Sequence, residues 1–297
     1  MSGRPDATIR EAYMQASSFL RERAVRDAAA AAELLLCHVL NVERSELFMR
    51  WDERFPPAKR EEWRRLLERK AAGEPVQYLT GEQWFYGLKF HVNPAVLIPR
   101  PETELLAEQV MAIGGRMWPE GCPHAVDVGT GSGAIAVVLA ARCPSWRVTA
   151  IDISAPALAV ARQNAERNGV GDRVRFVQGD LLKPLLDENA AVDILVSNPP
   201  YVESGDIPGL EREVRDYEPR LALDGGPDGL RFYRAILDQT KKLPACPGLI
   251  GFEVGLGQAP AVAEMVRRHG GWDEVRVIRD YAGIERHVIG LRINFGR

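Results

Sequence analysis

Asn198-Pro199-Pro200-Tyr201 directly follows the apolar run Val192-Asp193-Ile194-Leu195-Val196, and its residue types suit the capture of a planar amino group. Two consecutive prolines cannot donate ladder hydrogen bonds, so a strand that ends here releases the chain in a fixed, extended conformation. The Pro199 carbonyl is then left free to accept, the Asn198 side chain adds an acceptor oxygen, and Tyr201 adds an aromatic face. Two acceptors and a flat surface match an NH2 group on a planar frame. A plain strand-terminating turn uses the same residues, so the surroundings must decide.

A second cluster lies upstream. Gly129-Thr130-Gly131-Ser132-Gly133 separates the apolar strand Ala125-Val126-Asp127-Val128 from an apolar helix that begins at Ala134. In an alternating α/β chain this turn is where a ligand meets backbone, and glycine permits both the sharp turn and the close approach. A dinucleotide fingerprint would need its third glycine at Ala134, whereas the glycines here alternate at 129, 131 and 133, which weakens an NAD reading. Asp152 ends the next strand, 19 residues beyond Gly133, where a carboxylate can take both hydroxyls of a ribose. Asp180 and Leu181 follow the third strand and offer an acceptor for an adenine amino group and an apolar surface for its ring. A single strand-end aspartate reads as a turn or cap residue. Several in register with a glycine loop point to an adenosine-type ligand, with Asn198 facing it from the fourth strand.

The elements that must position these residues can be read from periodicity. Residues 1–75 carry helical spacing, with Asn41 as a stop and Pro56-Pro57 as the start of a helix that runs to Gly73. The segments flanking Gly87 within 83–92 predict a β-hairpin. Pro101 opens a helix with acidic residues in its first turn. Strands are expected at 123–128, 147–151, 173–177, 192–196, 248–254, 274–278 and 286–292, most of them separated by helices, so an open, mostly parallel sheet is expected. Arg100 and Glu102 could shape a substrate entrance, but an Arg/Glu pair at a domain junction reads more readily as a structural salt bridge. Glu253 and Asp280 invite an acid–base reading, but Glu253 sits at a strand end, where a structural role is expected.

Hydrophobic content of 46% and charged content of 27% are those of an ordinary globular chain, and a net charge of -3 argues against life on phosphate backbones. The N-terminal 75 residues are nearly neutral, which favours protein docking over an RNA clamp. Cys37, Cys122, Cys143 and Cys246 are scattered without metal or redox spacing, so no metal site is expected and a reduced, cytoplasmic chain is the simplest reading. Neither an export signal nor a membrane span is expected.

The glycine loop with Asp127 before it resembles the first motif of class I S-adenosylmethionine-dependent methyltransferases. Over nearly its whole length the chain resembles the PrmC/HemK family of release-factor glutamine N5-methyltransferases: DVGTGSGAIA at 127–136, SNPPY at 197–201, EPVQYLTGEQWFYGLKFHV at 74–92, VLIPRPETE at 96–104 and EPRLALDGGPDGL at 218–230. The resemblance implies an α/β, class I (Rossmann-like) methyltransferase sheet at 101–297, a small N-terminal helical domain at 1–75 for substrate docking, and a β-hairpin linker at 76–100. It implies S-adenosyl-L-methionine as cofactor, with Gly129, Thr130, Gly131, Ser132 and Gly133 along the methionine moiety, Asp152 on the ribose, and Asp180 with Leu181 on the adenine. Asn198 would touch both cofactor and substrate, Pro199 and Pro200 would complete the catalytic loop, and Tyr201 would cover the substrate amide. The implied activity is N5 methylation of the glutamine in the Gly-Gly-Gln motif of class I peptide chain release factors. No nucleic acid is expected as a direct partner, and a monomer is expected. Methylation of a ribosomal-protein glutamine, or of a base amino group, are the rival readings.

Overall fold

A computed structural model describes residues 7–292. The chain forms two compact units. The first holds the described residues through Glu82 together with Glu211–Tyr217, and the second holds Gln83–Leu210 and Glu218 onward. The sequence reading places the first division at residue 75 and assigns 76–100 to a linker. In the structure, Val76–Thr80 is a further short helix of the first unit, and the hairpin from Gln83 onward packs as part of the second.

The first unit is helical, with Ile9–Arg21, Ala28–Leu40, Arg44–Met49 and Arg60–Ala71 around a core that includes Leu20, Leu35, Leu36, Trp63 and Leu67. Thr8 and Glu11 form a capping box at the first helix. Asn41, in the left-handed region at φ 52°, ends the second. Arg60–Ala71 follows a 3-10 turn at Pro57–Lys59 and is closed by Gly73 at φ 98°. Into this unit comes a helix from far along the chain, Arg212–Tyr217. Lys70 is almost wholly buried, and its ammonium meets the Glu213 carboxylate; Arg26 pairs with Glu211. A buried ammonium without a carboxylate partner would be costly, so Glu213 completes the unit.

The second unit contains a hairpin and a seven-stranded sheet. The hairpin, β1 (Glu82–Phe85) and β2 (Leu88–His91), turns on Tyr86 at φ 50° and Gly87 at φ 72°, the positive pair that a tight two-residue loop requires. Phe85 and Phe90 meet edge-on in the main core, and the Asn164 side chain links the His91 backbone to the glycine loop through the Ser132 carbonyl. The sheet strands are β3 (His124–Val128), β4 (Arg147–Asp152), β5 (Val174–Gln178), β6 (Ile194–Ser197), β7 (Leu249–Glu253), β8 (Glu274–Arg279) and β9 (Glu285–Leu291), each within two residues of its expected bounds. Their order is β5-β4-β3-β6-β7-β9-β8, with β9 antiparallel to both neighbours and the rest parallel. Helices cover both faces. Ala125, Ile194 and Val196 face one core with Leu106 and Val138, while Val126, Leu195 and Ile250 face the other with Ile236 and Val262. The chain winds outward in both directions from β3, so the carboxyl ends of β3 and β6 form the switch point at which ligands bind in such sheets.

Candidate active site

The loop after β3 is shaped by the buried carboxylate that precedes it. Asp127 Oδ2 accepts from the Thr130 hydroxyl at 2.6 Å and from the Ala136 N–H at 3.1 Å, tying the loop to the first turn of the helix Ala134–Arg142. Gly129 and Gly131 hold φ values of 74° and 56°, and a Cβ added to either would meet nothing within 4 Å, so both turn an open face outward. Gly133 differs: at φ 83°, its missing side chain leaves room for Ala161 of the helix Ala155–Arg167.

Asp152, at the end of β4, accepts from the Gly131 N–H at 2.8 Å through one oxygen and from the Ser154 N–H at 2.9 Å through the other. A carboxylate has about four acceptor positions, so one remains on each oxygen. Burial raises its pKa, against the pull of those N–H groups. Asp180 stands exposed after β5, and Leu181 beside it takes φ 53°, a left-handed conformation uncommon for a leucine. Ser197, the last residue of β6, donates to the Val128 carbonyl at 2.6 Å and locks the two central strand ends together.

These strand ends enclose a cavity of about 340 Å³, the size range of small-ligand sites. Gly129, Thr130, Gly131, Ser132 and Asp152 line it at one side, with Asp180 and Leu181 at another. Asn198, Pro199 and Pro200 form a further wall. Two expected site residues are elsewhere. Gly133 serves the helix start, and Tyr201 turns into the core beside Tyr233 and Gly255 rather than along the cavity wall. Burial is the main reason its phenol pKa is raised.

The Asn198 side chain is held from behind. Its Nδ2 donates to the Thr103 hydroxyl at 3.1 Å, and that hydroxyl donates to Glu253 Oε2 at 2.6 Å. Among the described residues nothing donates to Asn198 Oδ1 or to the Pro199 carbonyl, so both acceptors are available. Glu253 is fully enclosed, and burial pushes its pKa up to about 7, with the Thr103 hydrogen bond pulling the other way. Asp280 instead accepts from the Ala282 and Ile284 N–H groups, which makes it a turn residue. The salt bridge expected between Arg100 and Glu102 is not the one formed: Arg100 pairs with Glu218, whose side chain is the more deeply buried of the two.

Behind the proline loop lies the glycine-rich segment 224–229. Val202 donates to the Leu223 carbonyl at 2.9 Å and accepts from the Gly225 N–H at 2.8 Å, a strand-like pairing of the two segments, and Gln258 Nε2 donates to the Tyr201 carbonyl at 2.9 Å. A Cβ on Gly225 would lie 2.8 Å from the Pro200 oxygen and from Tyr201 Cα. Thr103, Glu253 and this brace were not assigned to the site from sequence. A single Thr or Glu carries no signal, although the prolines of VLIPRPETE and the glycines of LDGGPDGL mark backbone that must fit closely. Ile153, which follows Asp152, also lines the cavity and is half-exposed.

Comparison with known proteins places this geometry. The family description "PrmC N-terminal domain" matches residues 11–81, and "Methyltransferase small domain" matches residues 103–211. The release factor glutamine methyltransferase of Moorella thermoacetica is 43% identical over 96% of this chain and 99% of its own length. This chain belongs to the release factor glutamine methyltransferase family. The same-named proteins of Geobacter sulfurreducens and Bacillus subtilis are 40% and 41% identical, covering 99% and 96% of the chain and 100% and 98% of their own lengths. The N-terminal domain of human METTL16, solved in complex with SAH, shares the fold with a TM-score of 0.52 at 19% identity, over 69% of this chain and 76% of that one.

The family's methyl donor is S-adenosylmethionine, and the cavity suits it. Asp127 Oδ1 is buried at the wall with no partner among the described residues, an acceptor suited to an ammonium donor. The open faces of Gly129 and Gly131 give backbone access, and Asp152 keeps acceptor capacity for two hydroxyls.

Proposed function

We propose that this protein methylates the side-chain amide nitrogen of the glutamine in the Gly-Gly-Gln motif of class I peptide chain release factors, with Asn198 and Pro199 holding that amide. The observation that carries the reading is the pair of unclaimed acceptors, Asn198 Oδ1 and the Pro199 carbonyl, at the wall of a cavity suited to an adenosyl donor. S-adenosylmethionine, when bound, supplies a methyl group on a sulfonium centre. Gly129 to Ser132 and Asp127 would hold its amino-acid end, Asp152 its ribose, and Asp180 with Leu181 its adenine.

An amide nitrogen is a weak nucleophile because its lone pair is delocalised into the carbonyl. Asn198 Oδ1 and the Pro199 carbonyl can each accept one of its two N–H groups, which favours pyramidal nitrogen and fixes the direction of its lone pair. Positioning of this kind, with dipoles set before the reaction, is the contribution expected of the protein. Proline at 199 and 200 leaves the loop no N–H there to compete for the bound amide's carbonyl, and it stiffens the backbone that carries the acceptor.

The reading extends to a protein substrate in the cytoplasm and a protein that acts as a monomer. The net charge of -3 supports protein over nucleic acid. Among the described residues no helix is long and apolar enough to cross a membrane. The test offers labelled S-adenosylmethionine with release factor, ribosomal protein, RNA and DNA in parallel. A gain of one methyl on the Gly-Gly-Gln glutamine is expected by peptide mass spectrometry, and label confined to ribosomal protein or nucleic acid would overturn the substrate. Asn198→Ala is expected to lower transfer by more than about 100-fold with cofactor binding intact. Full turnover in that variant would remove Asn198 from the mechanism.

A further inference from the structure

The Asn198 amide is useful only one way round. Presented by its oxygen it accepts an N–H; presented by its nitrogen it repels one. We propose that Thr103 and Glu253 are positioning residues that set this orientation, a role that rests on the function proposed above.

A threonine hydroxyl has one proton to give and lone pairs to receive with. Glu253 closes β7 with its side chain enclosed, and Thr103 stands in the first turn of the helix Pro101–Met117, also buried. At 2.6 Å from Glu253 Oε2, the Thr103 proton is committed to the carboxylate. The hydroxyl then faces Asn198 with lone pairs alone, so only Nδ2 can sit at the observed 3.1 Å, and Oδ1 is turned away from Thr103. The reverse orientation would set two acceptors against each other in a buried place, which is unfavourable. Glu253 is itself fixed: the Tyr233 hydroxyl donates to its backbone carbonyl at 2.8 Å, and the strand ladder sets it opposite His287. Thr103 thus acts as a one-way coupler between the Glu253 carboxylate and the polarity of the Asn198 amide.

The experiment compares wild type, Thr103→Ser, Thr103→Val and the double variant Thr103→Val/Glu253→Leu. It uses a release-factor domain carrying Gly-Gly-Gln as substrate, with kcat and KM, the dissociation constant of S-adenosylhomocysteine and the melting temperature as readouts. Thr103→Val keeps the shape and removes the coupler; kcat is expected to fall about 10- to 100-fold with the S-adenosylhomocysteine constant within about twofold of wild type. Thr103→Ser restores the hydroxyl and should recover kcat to within about threefold. Thr103→Val takes one hydrogen bond from the buried Glu253 carboxylate, leaving it the Asn198 side chain, and lowers stability, so the double variant, which replaces both Thr103 and Glu253, separates the two effects. It should regain melting temperature without regaining kcat. Unchanged kcat in Thr103→Val, or kcat that returns with melting temperature in the double variant, would overturn the proposal. Failure of the wild-type protein to methylate glutamine would instead overturn the function on which it rests.

Discussion

Two carboxyl groups near the cavity are held against their ordinary chemistry. Burial pushes Asp127 from 3.8 up to about 7, and Glu253 from 4.5 up to about 7. A folded carboxyl that binds its proton more tightly than the unfolded one adds stability that is complete below the unfolded value and is lost as pH rises through the folded value. The ligand-free protein should therefore lose stability between about pH 4 and pH 8, by on the order of 4 kcal/mol for a group displaced as far as Asp127. Denaturant titrations across this range check the direction. Asp127→Asn stays neutral throughout and should flatten the profile; a slope unchanged in that variant would mean Asp127 is not the group responsible. S-adenosylmethionine should recover part of the loss at high pH, because its ammonium would face the orphaned Asp127 oxygen.

At the scale of elements, the proline loop owes its shape to the segment behind it. Gly225→Ala would drive a methyl group into the Pro200 oxygen and the Tyr201 backbone, whereas Gly205→Ala meets open space. Turnover should fall at least about tenfold in the first and hold in the second, with single-turnover kinetics as the measurement. This brace also shows where the sequence was legible. Strands were readable because buried parallel strands are continuous β-branched runs, and the glycine loop because its spacing is local. The same locality made Asp152, Asp180 and Asn198 readable as strand-end residues. What stayed hidden was pairing across distance. Thr103 meets Glu253 150 positions away, and Arg100 meets Glu218, 118 positions away, in preference to the acidic residue two positions on. An aromatic beside two prolines reads the same whether its ring faces a ligand or the core, and Tyr201 lies outside the cavity lining.

The molecule as a whole is cut differently from its sequence. The helical unit is discontinuous, since Glu211–Tyr217 belongs to it and is supplied from within the span of the sheet unit. Residues 7–82 made alone would lose the Lys70–Glu213 ion pair together with the helix that supplies it. That fragment should melt well below the same unit in the full chain, and a peptide spanning 209–219 added in trans should raise its melting temperature. A fragment as stable as the intact unit would show that the seven-residue excursion is dispensable. Glu213→Gln in the full chain tests the same ion pair without truncation.

The excursion also gives the protein a clock. The ribosome completes Lys70 143 residues before it delivers Glu213. At about 5–20 residues per second, that is a wait of roughly 7 to 30 seconds, during which the helices have been made but Lys70 has no Glu213 carboxylate to meet. The first part of the chain to be made cannot be the first to finish folding: its last helix arrives only after β6 and the proline loop have been translated, so the helical unit closes after most of the cofactor cavity has left the ribosome.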